Sequence, residues 1–134
     1  MDEGSNSLTR ILIVEDDSQT VRLLSTVIVM SRPDCFIEVV DNGDEAMVLL
    51  SQKRFDLVIT DIFHEGLSGL ALLSRIKKDP EFQDIRVMVV SGHALGERAR
   101  DAWKRGADCV FSKPFEIEKF QRNLHRFVGH STEG

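Results

Sequence analysis

Five short apolar runs, separated by longer segments with helical spacing, constrain the fold of this chain more than any other feature of its sequence. The runs are rich in Val and Ile and too short to form stable helices, so each predicts a β-strand. The predicted strands are Arg10 to Val14, Phe36 to Val40, Leu57 to Thr60, Ile85 to Val90 and Asp108 to Ser112.

The segments between these runs carry apolar residues at the period of an amphipathic helix. The predicted stripes are Val21, Leu24 and Ile28; Ala46, Leu49 and Leu50; Leu70, Leu73 and Ile76; a weaker Leu95, Ala99, Ala102 and Trp103; and Ile117, Phe120, Leu124, Phe127 and Val128. Parallel strands need a crossover, which a helix supplies, so this alternation predicts an α/β fold with a doubly wound, five-stranded parallel sheet. The first and fourth strands are apolar without alternation, which predicts helices on both faces.

Size and composition narrow the possibilities further. The length of 134 residues predicts a single domain, which we expect to extend from residue 9 to 128. Residues 1–8 and 129–134 are expected to form flexible termini. Because 22 acidic side chains outnumber 17 basic ones, we expect no direct nucleic-acid partner. No apolar run approaches the roughly 20 residues that span a bilayer, so no membrane span is expected. The polar, acidic start and the isolated Cys35 and Cys109 predict free thiols and a cytoplasmic location.

Polar side chains follow the predicted strands at the edge where open α/β sheets bind ligands. Glu15, Asp16 and Asp17 follow the first strand, Asp61 the third, Ser91 the fourth and Lys113 the fifth. Converging carboxylates repel one another and need a cation, and Mg²⁺ prefers one or two carboxylates together with water and phosphate oxygens. A carboxylate nucleophile, a cation, an ammonium group and a hydroxyl are what phosphoryl transfer to an aspartate requires.

Each of these side chains also has an ordinary structural interpretation. Asp17 or Ser18 suits the N-cap of the first helix, Ser91 suits a loop, and Lys113 suits a solvated surface charge. Convergence from four strand ends favours the functional interpretation.

Four motifs, in this order, resemble the receiver domain of two-component response regulators: ILIVEDD at 11–17, DLVITD at 56–61, VVSGHA at 89–94 and FSKPF at 111–115. The resemblance covers about Thr9 to Val128. It implies a flavodoxin-like (βα)5 fold with strand order 2-1-3-4-5. It also implies a signalling switch that is not an enzyme acting on a separate substrate. The partners implied are a sensor histidine kinase or a histidine phosphotransfer protein, and a downstream protein effector.

The resemblance assigns roles to the acidic residues. Asp61 is the implied phosphoacceptor, Asp16 a direct Mg²⁺ ligand and Glu15 a ligand acting through water. The backbone carbonyl of Phe63 is implied as a further metal ligand. Asp17 stands one place beyond the acidic pair, which leaves a shift of register open.

The same resemblance assigns roles to Ser91 and Lys113. The Ser91 hydroxyl would bond the incoming phosphoryl group, and Lys113 would bridge the phosphoacceptor and the phosphate. The Lys113–Pro114 peptide is expected to be cis. On phosphorylation, Ser91 would move toward the phosphate and reshape the face of the fourth helix, fifth strand and fifth helix.

The chain also departs from the family pattern. Three residues before the lysine the family usually has an aromatic residue whose ring turns inward on switching, whereas this chain has Val110; Phe111 should point to the other face of the sheet. Phosphoryl lifetime in the family depends on the positions of Phe63 and His93, and we expect the Phe63 ring to shield the acyl phosphate. Gly69 matches a glycine that the family has after the phosphoacceptor.

Three other interpretations remain open at this stage. A phosphohydrolase of the haloacid dehalogenase type also uses an aspartate nucleophile, but it needs an Asp-x-Asp motif after the first strand, where this chain has Glu15, Asp16 and Asp17. A flavin carrier needs a phosphate loop that these acids would repel. A degenerate receiver that is never phosphorylated is the third.

Overall fold

The computed structural model describes residues 8–63 and 66–129, in which five strands alternate with five helices. The strands are β1 (Arg10–Val14), β2 (Phe36–Val40), β3 (Leu57–Thr60), β4 (Arg86–Ser91) and β5 (Cys109–Ser112). The helices are α1 (Ser18–Ser31), α2 (Gly43–Gln52), α3 (Gly69–Lys78), α4 (Gly96–Lys104) and α5 (Ile117–Val128). Of the predicted flexible termini, residues 1–7 and 130–134 lie outside the described residues.

All strands are parallel and follow the order β2-β1-β3-β4-β5, which confirms the predicted flavodoxin-like, doubly wound sheet. Strands β2 and β5 form the two edges. Cys35, just before β2, and Cys109, at the start of β5, therefore lie at opposite edges of the sheet, and both are free thiols, as expected. Within the described part of the chain, no helix is long and apolar enough to cross a membrane.

Two apolar layers cover the sheet. Ile11 and Ile13 pack with residues of α1 and α5, whereas Leu12 and Val14 pack with residues of α2, α3 and α4. Alternate residues of one strand point to opposite faces, so β1 contributes to both layers. All four side chains are fully buried, which confirms that the strand is covered on both sides.

Three helices are preceded by an N-cap residue whose side chain accepts a hydrogen bond from a backbone N–H of the first turn. Such a bond stabilises the N-terminus of a helix. The Asp17 carboxylate accepts the Thr20 N–H at 3.1 Å, so Asp17 is the N-cap of α1. Asn42 caps α2 and Ser68 caps α3 in the same way. The helix-cap interpretation of Asp17 is thus confirmed.

The observed bounds differ from the prediction at two strands: β4 and β5 each start one residue later, at Arg86 and Cys109, and β4 also ends one residue later, at Ser91. Ser91 pairs in register with Ser112 of β5, a contact that no local pattern reveals. The weak stripe of α4 was also partly wrong. Leu95 and Trp103 are 65% and 51% exposed. The reason is that α4 packs against the sheet mainly through the small side chain of Ala102.

The apolar stripe predicted for α5 is buried at the centre of the helix but not at its start. Phe120 and Leu124 are fully buried, whereas Ile117 in the first turn is 45% exposed. The helix therefore packs against the sheet only after its first turn.

Candidate functional site

Three carboxylates meet at the carboxyl end of the sheet. Glu15 and Asp16 follow β1, and Asp61 follows the neighbouring β3, with one oxygen from each lying within 4.8 Å of the others. Backbone hydrogen bonds continue for one residue beyond the ends of β1 and β3. The Glu15 N–H donates to the Val40 carbonyl at 2.9 Å, and the Asp61 N–H donates to the Val14 carbonyl at 3.2 Å. The strands thereby bring together the three predicted acids from two separate parts of the sequence.

The three acids differ in their access to solvent. Glu15 is 3% exposed, Asp61 is half-buried and Asp16 is exposed. Hard oxygen donors that converge at a partly open rim fit Mg²⁺, which keeps several water ligands when it binds to proteins. The donor set is thus suited to the ion that the sequence predicts.

Glu15 is held in an electrostatically unfavourable position. Burial raises the pKa of its carboxyl group above the ordinary value, and the nearby negative charge of Asp61 adds to the rise. The Asp17 N–H, which donates to Glu15 Oε2 at 3.1 Å, and the Lys113 ammonium act in the opposite direction. The site is therefore short of positive charge, and a bound cation would relieve this.

Lys113 supplies the one ammonium group described beside these acids. It follows β5, and its Nζ lies 3.2 Å from Glu15 Oε1 and 3.6 Å from Asp61 Oδ2. Its backbone N–H donates to the Ser91 carbonyl at 3.1 Å, and the Lys113–Pro114 peptide is cis, as the resemblance implied. The structure thus places the predicted lysine against the predicted phosphoacceptor.

Thr20 is a site residue that the sequence reasoning missed. Its hydroxyl donates to Asp17 at 2.6 Å and accepts from Lys113 Nζ at 3.3 Å, so it links the start of α1 to the lysine. Thr20 is buried and lies one turn before Leu24 on the apolar stripe of α1. A hydroxyl on an otherwise apolar stripe was the signal that would have revealed it.

Ser91 completes the set of predicted side chains. It is fully buried at the end of β4, which neighbours β3, and its Oγ accepts the His93 N–H at 3.1 Å. The hydroxyl thus stands on the strand next to the one that carries Asp61.

Asp17 does not belong to this cluster. Hydrogen bonds from the Thr20 hydroxyl and N–H lower the pKa of its carboxyl group, and the carboxylate is engaged as a helix cap. Among the described residues, the group able to hold a metal consists of Glu15, Asp16 and Asp61. The two acids after β1 that lie close to Asp61 are therefore Glu15 and Asp16.

The rings of Phe63, in the loop after β3, and His93, in the loop after β4, contact each other. Their ring centroids are 4.8 Å apart with an interplanar angle of 84°, an edge-to-face contact. Arg98 of α4 lies over the Phe63 ring, with its Cζ 5.0 Å from the centroid. Val110 is half-buried on the α2–α4 face, whereas Phe111 packs against Phe115 and Phe120 on the other face, as alternation predicted.

Comparison with known proteins points to one family. The sequence profile of the response regulator receiver domain matches residues 11–125. The chain is 29% identical over 121 residues to the DNA-binding transcriptional regulator NtrC of Salmonella typhimurium, which covers 90% of this chain and 25% of NtrC. Across three curated relatives, the chain spans between 16% and 48% of their length.

Solved structures show the same fold. The signal receiver domain of a DNA-binding response regulator (merR) from Colwellia psychrerythraea 34H is 26% identical, with a TM-score of 0.84, over 90% of this chain and 98% of that one. The receiver domain of the sensor histidine kinase PA1611 from Pseudomonas aeruginosa PAO1 has a TM-score of 0.79 and 20% identity, over 92% of this chain and 99% of that one. A magnesium ion is coordinated in the active site cleft of the PA1611 domain.

Proposed function

The chain belongs to the response regulator receiver domain family, and on that premise we propose that Asp61 is its phosphoacceptor. The observation that carries this proposal is the position of the Asp61 carboxylate, close to Glu15 and Asp16 and 3.6 Å from Lys113 Nζ. A carboxylate among other acids, with one adjacent ammonium, suits the transfer of a negatively charged group only when a cation is added.

Mg²⁺ is the proposed cofactor, with Asp16 and Asp61 as direct ligands, Glu15 acting through water and the Phe63 carbonyl as a further ligand. When bound, the ion would supply positive charge to the transferring phosphoryl group. A carboxylate oxygen of Asp61 forms the bond to phosphorus while the phosphorus–nitrogen bond of the donor phosphohistidine breaks. Lys113 and the Ser91 hydroxyl then donate hydrogen bonds to phosphoryl oxygens.

Receiver domains are phosphorylated by sensor histidine kinases, and we propose such a kinase, or a histidine phosphotransfer protein, as the donor in the cytoplasm. The chain would catalyse only its own phosphorylation and dephosphorylation. Phosphorylation draws Ser91 toward the phosphate and shifts the loop from Ser91 to Ala94 together with α4. The altered face of α4, β5 and α5 then binds a downstream protein effector.

Incubation with Mg²⁺ and acetyl phosphate tests the proposal directly. We expect the intact protein to gain the mass of one phosphoryl group, and the emission of Trp103 on α4, which is 51% exposed, to change. Asp61→Asn should abolish both responses, because an amide oxygen is a poor nucleophile and carries no charge for Mg²⁺. Beryllium fluoride, a mimic of the bound phosphoryl group, should give the same fluorescence change without a kinase.

A mass gain that persists in Asp61→Asn would assign the phosphoryl group to another residue. The absence of any gain in the unmodified protein would support a degenerate receiver. Steady release of phosphate from a small phosphoester would favour the phosphohydrolase alternative.

Phe63→Asn should shorten the lifetime of the phosphoryl group several-fold. The aromatic ring excludes water from the mouth of the site, whereas a carboxamide there binds and orients it. The half-life is measured by loading the protein with acetyl phosphate, removing the reagent and following intact mass. Phe36→Asn is the matched control, because Phe36 is 49% exposed, close to the 46% of Phe63, and lies at the opposite end of the sheet. An unchanged half-life in Phe63→Asn would exclude the shield.

A further inference from the structure

Phe63 is held from two sides by residues of two other segments. The edge-to-face contact with His93 ties it to the loop after β4, and the Arg98 guanidinium lies over its ring from the first turn of α4. The side chain is nevertheless 46% exposed, so much of the ring surface faces solvent. A half-exposed aromatic ring without such contacts samples several rotamers.

The stack of Phe63, His93 and Arg98 bridges the two loops that flank the acid site. Phe63 is two residues beyond Asp61 and His93 is two residues beyond Ser91, and the strands carrying them, β3 and β4, are neighbours. The contact between the two rings therefore joins the loop that follows Asp61 to the loop that follows Ser91. Arg98 adds α4 to this bridge, which connects the helix physically to the loop beside Asp61.

We propose that Arg98 is a positioning residue that acts through Phe63: it holds the ring across the mouth of the site, so that the placement of α4 sets the phosphoryl lifetime. This inference rests on the proposed phosphorylation of Asp61 and adds a residue outside the site cluster. With Val110 at the position usually taken by an aromatic ring, the stack gives the helix another route to the site.

The chemistry of arginine suits this role. A guanidinium is planar and weakly hydrated, so it stacks on an aromatic face more readily than most cations, and a lysine ammonium keeps the attraction in weaker form. A leucine in place of Arg98 keeps some apolar contact with the ring but has no positive charge to attract the ring face. The series Arg98→Lys and Arg98→Leu therefore separates charge from bulk.

The phosphoryl half-life of these variants is the first measurement. A cation–π contact at an exposed site changes the ratio of held to released ring by about two- to fivefold, so Arg98→Leu should shorten the half-life by up to that factor. Arg98→Lys should retain most of the lifetime. Arg100→Leu is the matched control, since Arg100 is exposed on the same helix. It is two positions beyond Arg98, and helix residues separated by two positions point in different directions.

A double-mutant cycle shows whether Arg98 acts through Phe63. In a Phe63→Ala background, Arg98→Leu should leave the half-life unchanged, because the ring that Arg98 holds is gone. An equal shortening in both backgrounds would overturn the proposal, and so would a half-life in Arg98→Leu equal to that of the unmodified protein.

The same cycle measured by urea unfolding, without phosphate, separates this inference from the proposed function. Favourable coupling between Arg98 and Phe63 in the unphosphorylated protein supports the stack even if no phosphoryl group is ever taken up. Absence of that coupling overturns the stack even if Asp61 is phosphorylated normally.

Discussion

Gly69→Ala is expected to lower the free energy of unfolding by about 3 kcal/mol, near the upper end for overpacking in a closed site. A Cβ at residue 69 would stand 1.8 Å from the Asp61 carbonyl oxygen and 2.9 Å from the Ile62 Cα. Both are backbone atoms, so no side-chain rotation relieves the clash. Either the start of α3 or the chain after β3 has to move.

The clash bears on the function as well as on stability. The Gly69 N–H donates to the Ile62 carbonyl at 2.7 Å, and the Ile62 N–H donates to Asp61 Oδ1 at 2.6 Å. Displacing this turn therefore shifts the carboxylate that is proposed to accept the phosphoryl group. We expect slower uptake from acetyl phosphate in Gly69→Ala, even at temperatures where the variant is folded.

Urea denaturation and thermal melting measure the loss, which corresponds to a fall in Tm of roughly 10 °C for a domain of this size. Gly92→Ala is the matched control, because a Cβ there meets nothing within 4 Å. Equal stability of the two variants would show that the turn after β3 accommodates a methyl group without cost.

Local patterns in the sequence were sufficient to predict the sheet and the acid cluster. The strands β1 and β3 each end where an apolar run gives way to an acid, Glu15 or Asp61, so the same residues that end the strands also form the site. A parallel sheet places such ends together, whatever lies between them in the chain.

The degree of burial of individual side chains, and contacts between residues far apart in the sequence, were not predictable in this way. The helical period gave the inward side of α4 but not that Ala102 alone would be buried, leaving Trp103 half-exposed. Thr20 meets Lys113 across 93 residues of chain, and Arg98 meets Phe63 only because α4 lies beside the loop after β3. Such contacts are fixed by how the elements pack, and no pattern within one segment records them.

Glu15→Gln is expected to have opposite effects on stability and on metal binding. Because burial raises the pKa of Glu15 in the folded protein, its folded state binds a proton more tightly than its unfolded state. The stability that protonation contributes is present in full below the ordinary pKa of 4.5 and is lost as pH rises through the higher folded pKa. At pH 7 the ionised side chain therefore destabilises the metal-free fold, and a neutral glutamine should stabilise it.

Glutamine retains an oxygen that accepts from Lys113 but provides no charge for the ion. Loss of a group that orients metal ligands through water typically costs about 10- to 100-fold in affinity, and we expect Mg²⁺ binding to weaken by that much. Urea unfolding without metal at pH 7 and pH 4, and a Mg²⁺ titration followed by Trp103 emission, measure the two effects. The gain in stability should be clear at pH 7 and small at pH 4, where Glu15 takes up its own proton.

Glu81→Gln provides the control for this variant, because Glu81 is exposed in the connection between α3 and β4, at the other end of the sheet. It should change neither stability nor Mg²⁺ affinity. A Glu15→Gln protein that is less stable than the unmodified one at pH 7 without metal would contradict the account, since it would mean that the attraction between the Glu15 charge and the Lys113 ammonium outweighs burial and the repulsion from Asp61. Unchanged Mg²⁺ affinity would instead remove Glu15 from the proposed metal site and leave Asp16 and Asp61 to hold the ion.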